Sequence, residues 1–194
     1  INELVIQTES GATILPSNAS DYPTLFDEQN TFPEVSSYLS NTIFDEIYHA
    51  RTAYEFIHGL TTYETTHPPL GKILMEIGIL LFGMNPFGWR FMSVILGTFC
   101  IPLFYYFAKK IMQSPFYAFC TTFIFTFDFM HFSLSRIATI DIYAAFFILF
   151  MYFFMYDFLS RTINQHSFQN TKASLAACGM MMGLGIATKW TAIY

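Results

Sequence analysis

Charged residues are scarce in this chain, and cysteine is scarcer still. Only 12% of the 194 residues are Asp, Glu, Lys or Arg, with 9 basic side chains against 14 acidic ones. Nucleic-acid binding needs a basic stripe, and a chain so poor in cations lacks one. The three cysteines, Cys100, Cys120 and Cys178, stand singly inside apolar stretches. They therefore provide neither a disulfide framework nor the spacing of a metal site.

Apolar and aromatic residues take the place of the missing charges. Hydrophobic residues make up 54% of the chain, including 24 Phe, 12 Tyr and 10 Met, which is unusual for a water-soluble domain. The first 69 residues hold most of the acids, whereas single charges separate long apolar runs from Leu70 onward. The sequence predicts an integral membrane protein. Because it has neither an initiator Met nor a signal-peptide pattern, and stops inside an apolar run, we expect a fragment lacking an anchor helix and later helices.

The distribution of turn formers and apolar runs predicts three regions. Residues 1–40 contain Gly and several Pro residues, as expected for the tail of an extracytoplasmic segment. Residues 41–86 predict a loop with two interfacial helices, the first over 41–59 and the second over Leu70–Phe82. Residues 87–194 predict a transmembrane bundle. The fold class is therefore all-α, a polytopic membrane helical bundle with interfacial helices and a short extramembrane N-terminal segment.

The predicted spans are 87–107, 116–134, 142–159 and a truncated one at 173–194. Lys109, Lys110, Arg161 and Lys172 fall in connections on one side of these spans. Positive charges in short loops favour the cytoplasm. We therefore expect the polar front segment on the opposite, extracytoplasmic face of a multi-pass protein in the cell membrane.

Four cations from different predicted helices are expected on that outer face: Lys72, Arg90, Arg136 and Lys189. A cation beside apolar sequence is costly without an anionic partner. A lipid-linked phosphate is a suitable partner, since Arg offers paired donors and Lys a compact charge. Alternatively, each cation is an interfacial anchor whose stem lies in the lipid.

Acids and histidines accompany these cations. Asp45 and Glu46 are adjacent at the start of the first predicted helix, about 100° apart, so one can face a substrate while the other serves structure. A carboxylate there could be a general base or simply complement the helix dipole. His67, held by Pro68-Pro69, favours a binding role. Asp128, inside a predicted span, could contact substrate or pair with Arg136 or Lys189, and Asp141, in the connection that follows, is a further candidate for substrate binding.

A metal site is the minority interpretation of these residues. Asp45 and His49 have i, i+4 spacing, which allows both to reach one ion, but no third ligand stands out. We therefore predict no metal and no cofactor.

Five short motifs in order resemble the protein O-mannosyltransferases, which are membrane glycosyltransferases of the GT-C type. The resemblance covers about residues 41–194. The motifs are Phe44-Asp45-Glu46, His67-Pro68-Pro69-Leu70-Gly71-Lys72, Arg90, Phe127-Asp128 with Ser135-Arg136 and Asp141, and Gly183-Leu184-Gly185 with Lys189-Trp190.

The resemblance implies transfer of mannose, with inversion, from a polyprenyl-phosphate carrier to Ser or Thr of extracytoplasmic proteins. It implies that Asp45 is the base and Glu46 its supporting acid, that Arg90 and Arg136 hold the carrier phosphate, and that His67, Lys72 and Lys189 line the site. Residues 1–40 do not resemble the family core.

Two alternatives stay open on the sequence alone. The same sugar transfer could act on a glycolipid or a cell-envelope glycan rather than on a protein. A transporter or scaffold is a different class, for which binding at the membrane midplane is expected, whereas here the polar residues cluster at one face.

Overall fold

The computed structural model describes residues 4–26, 37, 41–163 and 168–194. Much of the expected tail segment, namely 1–3, 27–36 and 38–40, and part of the predicted connection after residue 160 lie outside the described residues. The chain divides into two units, Ile1–Asn41 and Thr42–Tyr194. In the described part of the first unit, Gln7 and Thr13 form one antiparallel bridge, followed by 3-10 turns at Ala19–Asp21 and Pro23–Leu25.

The second unit confirms the all-helical prediction, with no strand among its described residues. Its α-helices are α1 (Glu46–Ile57), α2 (Leu70–Phe82), α3 (Pro86–Met112), α4 (Pro115–Thr126), α5 (Phe129–Leu134), α6 (Asp141–Ile163) and α7 (Phe168–Thr188), followed by a 3-10 turn at Trp190–Ile193. Two of them, α3 and α6, are long and apolar enough to cross a membrane.

Local signals explain the ends of α2 and α3. Gly83 adopts φ +85° after α2 and donates its N–H to Ile79, a conformation that glycine adopts without strain. The Asn85 side chain then caps α3 by accepting the Gly88 N–H at 3.0 Å, and Pro86 occupies the first helical position, where no N–H is needed. The two helices are therefore joined by only three residues.

The predicted segment 116–134 is divided in the structure rather than continuous. Asp128 adopts an extended backbone, and its carboxylate accepts the His131 N–H at 2.9 Å. This is an N-cap, which begins a new helix and does not continue the previous one. Asp128 thus acts within the chain as the cap of α5.

The first predicted helix starts later than expected. Phe44 has φ +55°, a left-handed conformation that a bulky residue rarely adopts. The helix therefore begins at Glu46 rather than near residue 41, and Asp45 occupies its N-cap position.

Close packing brings α1, α2 and the start of α3 together. Ala50 and Ala53 of α1 pack with Met75 and Ile79 of α2, and the same buried cluster contains Trp89 and Ala138. A Cβ atom on Gly78 would lie 2.2 Å from the Gly88 carbonyl oxygen, so the two helices meet backbone to backbone. This contact fixes the entry of α3 beside α2.

The other ends of α3, α6 and α7 are joined by polar contacts. The Asp157 carboxylate of α6 binds Lys110 of α3, the Arg161 Nε at 2.9 Å and the Ser174 hydroxyl at 2.6 Å. The sequence predicted Lys110 and Arg161 as solvated loop charges. Both are exposed, as expected, but they lie in the last turns of their helices rather than in loops, and both pair with the buried Asp157.

Candidate active site

A tight turn precedes α1 and sets the direction of both adjacent acids. The Glu46 N–H donates to the Ile43 carbonyl at 3.1 Å, and the Ile43 N–H donates to the Glu46 carboxylate at 2.7 Å. This reciprocal pair resembles a capping box. It holds Phe44 in its left-handed conformation, with a side chain that is 79% exposed.

Glu46 lies at the junction of three parts of the chain. Its side chain is fully buried, and its carboxylate accepts the Nε and Nη2 of Arg90, each at 2.7 Å. The Ala138 N–H donates to the same carboxylate at 2.6 Å. Paired donors of this kind are the strongest form of charge-assisted contact. Glu46 thus ties the start of α1 to α3 and to the connection before α6.

Asp45 has different surroundings from its neighbour. It is half-buried, its side chain makes no capping hydrogen bond, and it lines an open pocket of about 510 Å³. The other lining residues are Tyr48, His49, Tyr63, Glu64, Thr65, Thr66 and His67. Of the predicted site residues, Asp45 and His67 therefore share one pocket.

A buried ion pair forms one side of this pocket. Lys72 is 1% exposed and binds the Glu64 carboxylate, with further hydrogen bonds to the carbonyl oxygens of Glu64 and His67 at 3.2 and 3.3 Å. Burial alone would raise the pKa of Glu64, but the hydrogen bond and charge of Lys72 outweigh it and lower that pKa to about 2. Lys72 thus shapes the segment 64–67, and its charge is matched within the protein.

The end of α7 reaches the same segment. Lys189 donates to the Asp141 carboxylate at 2.5 Å, and the Trp190 indole N–H donates to the Thr66 carbonyl at 3.3 Å. Lys189, considered as a partner of Asp128, is therefore paired with Asp141 instead. The second contact fixes the chain after α7 against the wall of the pocket.

Arg136 differs from the other three cations. Its side chain is exposed, and its guanidinium lies 4.9 Å from the centre of the Phe132 ring. Among the described residues no carboxylate lies within 4.0 Å of it, whereas Lys72, Arg90 and Lys189 each have an acidic partner. Its backbone is two residues from Ala138, which is bonded to Glu46. The expected group of four cations is therefore three ion pairs and one exposed arginine.

The motifs do not include Glu64, they contain Trp190 without a role for it, and His49 was considered only in the minority interpretation of a metal site. One signal was present for Glu64: Lys72 is the one cation of the mainly apolar α2 and requires an anionic partner. Glu64, eight residues earlier, is a candidate partner beside Glu76 on the same helix. No group of three His, Cys, Asp or Glu side chains suited to a metal occurs in the part of the chain that the structure describes.

Comparisons with known proteins identify the family. The described part of the second unit is all-helical, has two helices able to cross a membrane, and contains an acid-lined pocket beside buried ion pairs. These are the features of a helical membrane protein with a polar site. A family model described as dolichyl-phosphate-mannose-protein mannosyltransferase matches residues 76–194. The chain belongs to this family, since the match covers more than half of it. The resemblance seen in the motifs is thus confirmed.

Curated relatives carry related names. Two proteins named polyprenol-phosphate-mannose–protein mannosyltransferase, from Mycolicibacterium smegmatis and Mycobacterium tuberculosis, are each 27% identical over 78% of this chain. One of the same name from Corynebacterium glutamicum is 35% identical over 42% of the chain and covers 16% of that protein. The chain spans about a third of the length of the first two, 34% and 33%. No solved structure matches it.

Proposed function

We propose that this protein transfers mannose from a polyprenyl-phosphate carrier to Ser or Thr hydroxyls of extracytoplasmic proteins, with inversion at the anomeric carbon. The family supports the type of donor and of reaction, and the relatives' names extend this to a protein acceptor. The observation that carries the proposal is the contrast between Asp45, which lines the pocket, and Glu46, whose carboxylate is occupied by Arg90 and Ala138.

The chemistry assigns one task to Asp45. The acceptor oxygen forms a bond to the anomeric carbon while the bond from that carbon to the carrier phosphate breaks, and the phosphate leaves with the electron pair. The acceptor proton passes to the Asp45 carboxylate as a general base. Direct attack on the face opposite the phosphate inverts the configuration. Glu46 is a positioning residue, since it holds the turn from which Asp45 projects.

The leaving phosphate requires positive charge. Arg136, exposed and without a described acidic partner, is the side chain best suited to bind it with paired donors. Arg90 contributes a charge whose position Glu46 fixes, so that no reorganisation is needed as negative charge develops. Lys189 and Lys72 line the site, and their ion pairs with Asp141 and Glu64 hold them in place. His67 binds the substrate in the pocket. Asp128 helps to position Arg136, because it caps α5, the helix that ends just before that arginine.

We further propose a multi-pass GT-C-type arrangement with the site on the extracytoplasmic face. In it, residues 1–40 are the tail of an extracytoplasmic segment, 41–86 form its catalytic loop, and 87–194 form the membrane bundle. Two observations support this. The starts of α3 and α6 carry Arg90 and Asp141 at the site end, whereas Lys109, Lys110 and Arg161 lie at the opposite ends of the same helices, where the positive-inside tendency favours cytoplasm.

The test is an assay of the intact protein in detergent, with labelled polyprenyl-phosphate-mannose and a Ser/Thr-rich peptide. Asp45→Asn should reduce turnover by at least a hundredfold while the donor still binds, because the base contributes to the transition state and little to binding. Asp21→Asn, which alters an acid of the front unit, is the matched control and should retain full activity. Normal turnover by Asp45→Asn would refute the assignment.

The product of the same assay tests the other parts of the proposal. Inversion predicts a single anomeric configuration opposite to that of the donor, readable by NMR of the mannosylated peptide. If the label passes to glycan or glycolipid acceptors and never to peptide, the protein acceptor is wrong although the transfer stands.

A further inference from the structure

His49 is the most enclosed side chain among those that line the pocket. It lies on α1 one turn after Asp45, is 3% exposed, and faces the same cavity. Its Nδ1 is buried and has no hydrogen-bond partner among the described residues. A buried polar group without a partner costs free energy. A ligand bound in the pocket would offset this cost by providing the histidine with a hydrogen-bond partner.

The immediate neighbours of His49 define how its ring is oriented. Its Nδ1 lies 4.0 Å from the Glu64 carboxylate, and the His67 ring centre is 6.1 Å from its own. A small movement would let Nδ1–H donate to Glu64, which is held in place by Lys72. Once formed, that contact would select the tautomer in which the second nitrogen, Nε2, carries a lone pair. Since Nδ1 is enclosed, we assign the Nε2 edge to the pocket.

The charges around His49 favour the neutral ring. Burial lowers the pKa of His49, and the positive charge of Lys72 lowers it further. The carboxylates of Glu64 and Asp45 act in the opposite direction but are outweighed, and His67 contributes a small lowering. At neutral pH the ring is therefore a hydrogen-bonding group without charge.

We infer that His49 is a substrate-binding residue whose Nε2 accepts a hydrogen bond from a hydroxyl group bound beside Asp45. This rests on the proposed function. A hydroxyl in the pocket belongs either to the transferred sugar or to the acceptor, and both present the same O–H donor. Glu64 is then a positioning residue, which acts on the substrate through the orientation of His49.

A matched pair of substitutions separates this role from packing. The amide of Gln reaches about as far as Nε2 of the ring, whereas the amide of Asn reaches about as far as Nδ1. In the intact protein, with polyprenyl-phosphate-mannose and a Ser/Thr peptide, His49→Asn should lose roughly tenfold in kcat/KM, as expected for one lost hydrogen bond in an enclosed site. His49→Gln should stay within about threefold of wild type. His58→Gln, on an exposed histidine just after the same helix, is the control.

The kinetic constants show which hydroxyl is bound. An effect on the donor KM assigns the contact to the sugar, and an effect on the acceptor KM assigns it to Ser or Thr. Glu64→Gln should move the values in the direction of His49→Asn, because the tautomer is then no longer selected. All effects are ratios to wild type, so an inactive wild type would count against the proposed function, whereas an active wild type with unaffected variants would count only against His49.

Two results would overturn the inference: equal activity of wild type, His49→Asn and His49→Gln, or better activity of Asn than of Gln. If both variants fail to fold, wild type still decides through nitrogen NMR of the labelled His49 ring. Binding of donor or peptide should shift Nε2 and leave Nδ1 almost unchanged. An unshifted Nε2 with both substrates would end the proposal.

Discussion

Arg90 and Glu46, 44 residues apart in sequence, are joined at two points: the arginine Nε and Nη2 each donate to a different oxygen of the carboxylate at 2.7 Å. Glu46 is fully buried, and Arg90 is 14% exposed. The same carboxylate also accepts the N–H groups of Ile43 and Ala138. One acid therefore organises the turn that presents Asp45, the entry of α3 and the backbone after Arg136.

Removing the charge of Glu46 is expected to destabilise the protein strongly. Glu46→Gln should lower the free energy of unfolding by about 3 to 5 kcal/mol, since Arg90 loses its anion in a buried place. Denaturant unfolding in detergent, followed by circular dichroism, measures this. Arg161→Gln, which breaks an ion pair whose arginine is 51% exposed, should cost at most about 1 kcal/mol. Equal costs for the two variants would contradict the central role of Glu46.

Arg136 is expected to act on the donor rather than on stability. Arg136→Ala should raise the KM for polyprenyl-phosphate-mannose by roughly tenfold to a hundredfold, since it removes a charged hydrogen bond to phosphate. Its thermal unfolding should match wild type, because its side chain is exposed. Lys109→Ala provides the control, since Lys109 is an exposed cation in the last turn of α3, at the end far from the site. A donor KM unchanged in Arg136→Ala would remove Arg136 from the phosphate site.

The Glu64–Lys72 pair predicts a loss of stability in acid. The pKa of Glu64 is lowered from 4.5 to about 2 in the folded protein. Its stabilising contribution is therefore complete above about pH 4.5 and disappears as the pH falls through about 2. Thermal unfolding between these pH values should show a decline in wild type that is smaller in Glu64→Gln.

The control for this decline is Glu9→Gln, which changes an exposed acid of the front unit and should reproduce the wild-type dependence on pH. A decline in Glu64→Gln as steep as in wild type would assign the acid sensitivity to other carboxylates.

Gly97 is expected to be intolerant of a methyl group. A Cβ atom there would lie 2.3 Å from the Ser135 hydroxyl oxygen and 2.6 Å from its Cβ. Ser135 is itself fixed by a hydrogen bond to the His131 carbonyl at 2.6 Å. Gly97→Ala should therefore cost about 1 to 3 kcal/mol of stability, as overpacking does. It should also lower activity, because Arg136 directly follows Ser135.

Gly179→Ala is the matched helical control, since nothing lies within 4 Å of its added Cβ. It should be neutral or stabilise slightly, as expected from the helix propensities of glycine and alanine. If Gly97→Ala is tolerated as well as Gly179→Ala, then α3 and the segment after α5 are less tightly packed than the structure indicates.

Local sequence determined the helical character of the chain and the positions of several helix ends. The second predicted helix, Leu70–Phe82, has the same bounds in the structure, because Pro68-Pro69 and Gly83 act on their own neighbourhood. The family could also be recognised from the sequence, because each of its motifs is a short local run of residues. A single carboxylate's preference for capping was harder to foresee: Asp128 divides a segment whose apolar composition alone favours one helix.

The sequence by itself thus determined which residues carry charge and which stretches are helical. Only the tertiary structure decided which charges meet. Asp45 and Glu46 are chemically similar neighbours, yet the pocket surrounds one while Arg90 and Ala138 occupy the other. Lys72 and Lys189 are matched by Glu64 and Asp141, and Arg136 is not matched within the described residues. The reason is physical: burial makes an unpaired charge costly, so packing distant segments together selects the partners, and no local pattern contains that information.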